Sequence, residues 1–186
     1  MSRCEAIWIG GSAGSLEVLL KVLPQLREDI DFAIVIVLHR KPGADILLTD
    51  LLSSRTNIPV KEIEEKDRIE AGVIYLAPSD YHLLVERDAT FSLDHSEKVN
   101  YSRPSIDVAF ESAAEIYKEN LVGLLLSGAN ADGVAGLIKI KKMGGKVIIQ
   151  DPDSAKVSYM PAQAELYVDY DAMLQIEEIA DWINKL

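Results

Sequence analysis

The sequence predicts a doubly wound α/β domain, a mostly parallel sheet flanked by helices, with a small antiparallel hairpin insertion. Three observations predict it. Short apolar runs alternate with stretches whose apolar residues recur at helical spacing. The second run, Phe32 to Leu38, is almost wholly apolar and β-branched, as strands covered on both faces must be. The first run passes directly into Gly10-Gly11-Ser12-Ala13-Gly14, a sharp turn from strand to helix.

In chain order, Cys4 to Ile9 is the first strand, and Leu16, Leu19, Leu20, Leu23 and Leu26 mark the first helix. Phe32 to Leu38 is the second strand. A helix from Ala44 to Ser54 leads to a weaker strand at Pro59 to Ile63. Val73 to Ala77, Tyr81 to Glu86 and Thr90 to Asp94 are short strands broken by Pro78-Ser79-Asp80 and Arg87-Asp88, a spacing that predicts antiparallel hairpins. A helix near Ser105 to Lys118, a strand at Leu121 to Leu126, a helix over Gly133 to Met143 and a strand at Lys146 to Gln150 follow. In the tail, Met173, Leu174, Ile176, Ile179 and Ile183 read as one helix, Asp171 to Leu186. With no repeat, linker or low-complexity stretch, residues 1–186 are expected to form a single domain.

Composition narrows the function. The chain carries 19 Lys and Arg against 30 Asp and Glu, a net charge of −11. That balance argues against nucleic-acid binding, which needs clustered cations, and against docking on an anionic membrane. A single cysteine, Cys4, excludes an internal disulfide and a multi-cysteine metal cluster. No two histidines stand at ligand spacing, so no metal and no cofactor are expected. Without a signal peptide or an apolar run long enough to span a bilayer, a cytoplasmic setting without membrane insertion is expected.

Sites in open parallel sheets form beyond the carboxyl ends of the strands. The polar residues standing there are Ser12 after the first strand, His39 and Arg40 after the second, and Ser127, Asn130 and Asp132 after Leu121 to Leu126. A hydroxyl, an imidazole and a carboxylate on one edge are the residue set of acyl transfer. The helix after Ser12 offers backbone N–H donors to an oxyanion, each worth ~3 kcal/mol in favourable cases. Plainer readings stand beside this one. The glycine loop fits a phosphate cradle as well as a nucleophile, although it lacks both G-x-G-x-x-G spacing and a GK[ST] ending. Ser12 and Asp132 are also plausible helix caps, and His39 a structural histidine.

Several of these stretches resemble the catalytic domain of the chemotaxis receptor protein-glutamate methylesterases, the CheB-type family. The likeness is carried by Ile9-Gly10-Gly11-Ser12-Ala13-Gly14, Leu38-His39, and the run Leu126-Ser127-Gly128-Ala129-Asn130-Ala131-Asp132-Gly133-Val134-Ala135-Gly136. Tyr75 to His82, Ser102 to Asp107 and Met160-Pro161 add to it. The resemblance implies a Ser12–His39–Asp132 triad that removes methyl esters from glutamate side chains on the cytoplasmic helices of methyl-accepting chemotaxis receptors. The same acyl chemistry admits deamidation of receptor glutamines. Gly11, Ala13, Ala129, Arg103 and Met160 are then expected around the substrate and the oxyanion. His82 is expected to be structural and His95 an exposed turn residue.

Departures from the family pattern are Ala13 where threonine is common, Ala129 where methionine is frequent, and Gly14-Ser15 in place of a glycine pair. Many relatives carry a receiver domain ahead of this one. With a first strand at residue 4, none is expected here, and control is expected to be absent or to come from a separate receiver or signalling protein. Two readings of other classes remain open: a non-catalytic scaffold of the same fold, and a nucleotide-binding α/β domain.

Overall fold

The structure is a computed structural model that describes residues 3–43 and 47–186. The chain runs β1 (Ala6–Gly11), α1 (Ser15–Val22), β2 (Ala33–Leu38), α2 (Leu48–Ser53), β3 (Val60–Glu62), β4 (Ile74–Leu76), β5 (His82–Val85) and β6 (Phe91–Asp94). It continues through α3 (Ile106–Tyr117), β7 (Leu121–Leu125), α4 (Val134–Lys142), β8 (Lys146–Gln150), α5 (Tyr159–Tyr167), β9 (Ala172–Leu174) and α6 (Ile176–Asn184). Among the described residues, seven strands pair in parallel in the order β3-β4-β2-β1-β7-β8-β9, and β5 and β6 form a separate antiparallel pair.

The unbroken apolar strands have the predicted cause, because each feeds two cores. Ala6 and Trp8 of β1 join Val35 and Val37 of β2 beneath α3, α4 and α5. Ile7 and Ile9 join Ile34 and Ile36 on the other face, under α1, α2 and α6. In the middle of β7, Gly123 leaves room for α4: a Cβ there would stand 2.5 Å from Ile140 Cδ1. From β1 the chain first builds outward through β2 to the β3–β4 edge, then returns to the opposite side of β1 at β7. The reversal occurs at β1, so the carboxyl ends of β2, β1 and β7 frame the crevice where this fold class places its sites.

Two sequence expectations are corrected. Val73 to Ala77 belongs to the parallel sheet, as β4 between β2 and β3, and not to an antiparallel hairpin. Its apolar residues are buried on both faces, and only β5 and β6, joined by the tight Glu86–Thr90 turn, are antiparallel. The tail is not one helix. Ala172–Leu174 is an edge strand on β8, and α6 starts at Ile176 behind a Gln175–Glu178 capping box. The helix α5 had no strong periodic signal and was not anticipated. Of the expected Ala44–Ser54 helix, Leu48–Ser53 is observed as α2, and residues 44–46 lie outside the described residues.

Candidate active site

Ser12 and His39 occupy neighbouring strand ends. Gly11 of β1 is in register with Leu38 of β2, and the His39 N–H donates to the Gly11 carbonyl at 3.1 Å. The two residues therefore emerge from strands roughly 4.8 Å apart. On the other side of β1, the Ser12 N–H donates to the Ser127 carbonyl at 2.9 Å, tying the loop to the end of β7. The loop is tightly filled. A Cβ on Gly11 would meet Ser15, and one on Gly14, whose φ is 85°, would stand 2.7 Å from Ser127 Oγ and 2.9 Å from Lys156 Cβ. The protein's own side chains take the space these glycines leave. Ser12 is half-buried at its surface.

His39 and Asp132 meet directly, with Nε2 2.6 Å from Oδ2. The Asp132 carboxylate is fully buried, and among the described residues five donors converge on it. Oδ2 accepts from His39 and from the Ile106 N–H at 2.6 Å. Oδ1 accepts from Asn100 Nδ2 and Ser105 Oγ, each at 2.9 Å, and from the Asp107 N–H at 3.0 Å. The carboxylate thus sits at the positive end of α3. Burial on its own favours the neutral acid. The hydrogen bonds from His39, the Asp107 and Ile106 N–H groups and Asn100 outweigh it and hold the carboxyl at about 2. An ionised Oδ2 fixes the imidazole proton on Nε2 and leaves Nδ1 as the basic nitrogen. No hydrogen bond joins Ser12 Oγ to His39 among the described residues; such catalytic bonds are often long before substrate is bound.

A second carboxylate backs the first. Asp107 Oδ1 accepts from the N–H groups of Gly133 and Gly136 at the start of α4, at 2.9 and 2.7 Å. Its Oδ2 accepts from Asn100 at 2.8 Å, so the Asn100 amide bridges the two acids. Burial pushes Asp107 up to about 6, and the nearby Asp132 charge works in the same direction. Asn100 and Tyr101 form the tip of a turn closed by Val99 and Ser102, both with positive φ, at 51° and 61°. Asn100, Ser105 and Asp107 were not singled out from sequence as site residues. The position of Ser105 ahead of an apolar helical run was a readable N-cap signal, whereas nothing local marks Asn100.

The other predicted positions divide between loop and cleft. Ala13 is exposed, and its carbonyl accepts from Ser127 Oγ at 2.7 Å. Ala129 is exposed in the β7–α4 loop. Met160 is fully buried, its side chain packed where a Cβ on Gly128 would stand and its N–H donating to the Gly128 carbonyl. It supports the loop from beneath. Arg103 donates to Asp80 Oδ1 and to the Ser96 carbonyl, and it also lines, with His39, a cleft of about 340 Å³. His82 is buried, accepting at Nδ1 from the Ser105 N–H and donating from Nε2 to the Glu97 carbonyl, so both ring nitrogens are committed. His95 is exposed. A smaller cavity of about 190 Å³ lies at the amino ends of the strands beside Cys4, whose thiol burial pushes up to about 12, far from the range of a nucleophile.

A doubly wound sheet that carries a histidine–aspartate pair beside a serine-bearing strand-to-helix turn, at its switch point, has the architecture of a serine hydrolase. The sequence matches the CheB methylesterase family over residues 7–183, and the chain belongs to that family. It is 45% identical to a putative protein-glutamate methylesterase/protein-glutamine glutaminase of Leptospira interrogans, over 98% of this chain and 94% of that protein. It is 36% identical to protein-glutamate methylesterase/protein-glutamine glutaminase 2 of Methanosarcina mazei, over 96% of this chain and 50% of that protein. The crystal structure of the Thermotoga maritima CheB methylesterase catalytic domain superposes with a TM-score of 0.93 at 32% identity, covering 98% of both chains. No helix among the described residues is long and apolar enough to cross a membrane.

Proposed function

We propose that this chain is a protein-glutamate methylesterase acting on the methylated glutamates of chemotaxis receptors, with Ser12 as nucleophile, His39 as general base and Asp132 as the group that orients it. The observation that carries the reading is the 2.6 Å His39–Asp132 bond at the strand edge where Ser12 emerges. Family membership and the names of the relatives agree with it. Ser12 Oγ attacks the ester carbonyl while His39 Nδ1 takes its proton. The tetrahedral oxyanion is met by backbone N–H groups of the loop at Ala13, the residue after the nucleophile. Collapse of the intermediate expels methanol, protonated by His39. A water molecule then attacks the acyl-serine, gives its proton to His39 and releases the glutamate carboxylate, and the proton returns to Ser12. With a glutamine substrate the same sequence releases ammonia, which fits the second activity in the relatives' names. The soluble side of the receptor, where its cytoplasmic helices lie, is the proposed place of action.

A fluorophosphonate probe tests the nucleophile. Mass spectrometry is expected to find the adduct on the peptide containing Ser12, and His39→Ala is expected to slow its formation. Labelling on any other serine, with Ser12 unmodified, contradicts the assignment.

A further inference from the structure

The chain has an excess of acids, yet the cleft that His39 lines holds four cations, Arg40, Lys41, Lys98 and Arg103, among its described lining residues. Tyr101 lines it too, and Asp80 is the one acid of the lining among the described residues. The two arginines at this place are occupied. Arg40 pairs with Glu62 and donates to the Ala77 carbonyl, and Arg103 is held by Asp80 and the Ser96 carbonyl. Lys41 and Lys98 differ: both are exposed, and neither has an ion-pair partner among the described residues. They come from separate parts of the chain, one just after β2 and one in the segment between β6 and α3. In the same cleft lining Tyr101 is 98% exposed, at the tip of a turn that the Asn100 bridge to Asp107 and Asp132 anchors. A chain of net charge −11 repels carboxylate-rich partners in general, so two exposed ammonium groups in the cleft that His39 lines, of which Lys98 also lies in the field of Asp80, set a local preference.

We infer that this cleft docks an acidic peptide segment, with Lys41 and Lys98 taking carboxylates that flank the reacting glutamyl ester and Tyr101 covering the segment's aliphatic stems. The inference rests on the hydrolase reading and deepens it by naming the neighbours the substrate glutamate must have. Arg103 is spent on the loop, so the lysines carry the discrimination. An aromatic ring on a pinned turn supplies contact area at little cost in entropy.

The test is a binding measurement, made on the Ser12→Ala protein so that no turnover intervenes. Two fluorescent peptides of equal length carry a central glutamyl γ-methyl ester, flanked in one by glutamates and in the other by glutamines. Anisotropy is expected to show the glutamate-flanked peptide binding about threefold to tenfold tighter at low salt, with the preference fading as salt is raised. Lys41→Gln with Lys98→Gln is expected to abolish the preference, and Lys41→Arg with Lys98→Arg to keep it. Equal affinities, no binding of the glutamate-flanked peptide, or a preference that survives the double glutamine variant overturns the inference. Failure of the hydrolase reading looks different: methanol release is then the same with and without Ser12, whatever the peptides do.

Discussion

Replacing Asp132 by alanine removes the acceptor for five donors at once, and the structure separates the structural share of that loss from the catalytic one. The Ile106 and Asp107 N–H groups are fixed by the first turn of α3 and cannot turn toward water, and Ser105 Oγ is buried beside them. Each buried donor left without a partner costs about 1–3 kcal/mol, so Asp132→Ala is expected to cost about 3–5 kcal/mol of stability. His39→Ala removes the same hydrogen bond from the other side. The imidazole keeps 12% exposure, and Asp132 retains its four other donors, so about 1 kcal/mol is expected. Both variants should lose activity.

Urea denaturation near neutral pH, with esterase activity measured in parallel, reads the two effects separately. The pH dependence gives an independent check. The folded-state value of Asp132, about 2, lies below its unfolded value near 3.8. Its contribution is therefore present above about pH 4 and is lost as pH falls toward 2, so the gap between wild type and Asp132→Ala should narrow over that interval by about 2 kcal/mol. If Asp132→Ala is as stable as His39→Ala, the carboxylate does not hold the start of α3, and the reasoning is refuted.

Three further outcomes follow from the same network. Asp107 is raised to about 6 in the folded protein, which then binds more protons than the unfolded chain between about pH 4 and 6. Stability should fall as pH rises through that window, and Asp107→Asn should flatten the slope in pH-dependent denaturation; an unchanged slope contradicts the assignment. Asn100→Ala removes a hydrogen bond that lowers both acids. The Asp107 titration midpoint seen by carboxyl-carbon NMR should move further up, with kcat reduced roughly tenfold as Asp132 loses its clamp, and a midpoint that stays put argues against the bridge. Gly14→Ala should cost about 1–3 kcal/mol in thermal or chemical unfolding, since φ is 85° and Ser127 Oγ stands 2.7 Å from the added carbon. A neutral effect would mean the loop is looser than described.

The fold was legible where burial alone sets the pattern. Phe32 to Leu38 is apolar at every position because both faces of β2 are covered. Position after a strand also brought Ser12, His39 and Asp132 to one edge, and the family-like stretches around them set their expected roles. Local pattern failed where two elements share one periodicity. Met173 and Leu174 fit the spacing of the following helix, although pairing with β8 makes them a strand, because an edge strand of three residues is too short to show alternation. Val73 to Ala77 was misplaced because it pairs in parallel with both β3 and β2, and parallel partners are not joined by a tight turn that sequence could show. Asn100 was invisible because its importance comes from reaching two carboxylates at positions 107 and 132, the second 32 residues away, and a lone asparagine in a polar turn carries no mark of that.

The central claim is that the Ser12 hydroxyl is the attacking group, and methanol release from a methylated receptor tests it most directly. Wild type and Ser12→Ala are compared at equal concentration, with unfolding curves to establish that both are folded. The substitution is expected to lower the rate by at least ~10³-fold while the unfolding midpoint stays in place. Equal methanol release from the two proteins contradicts it.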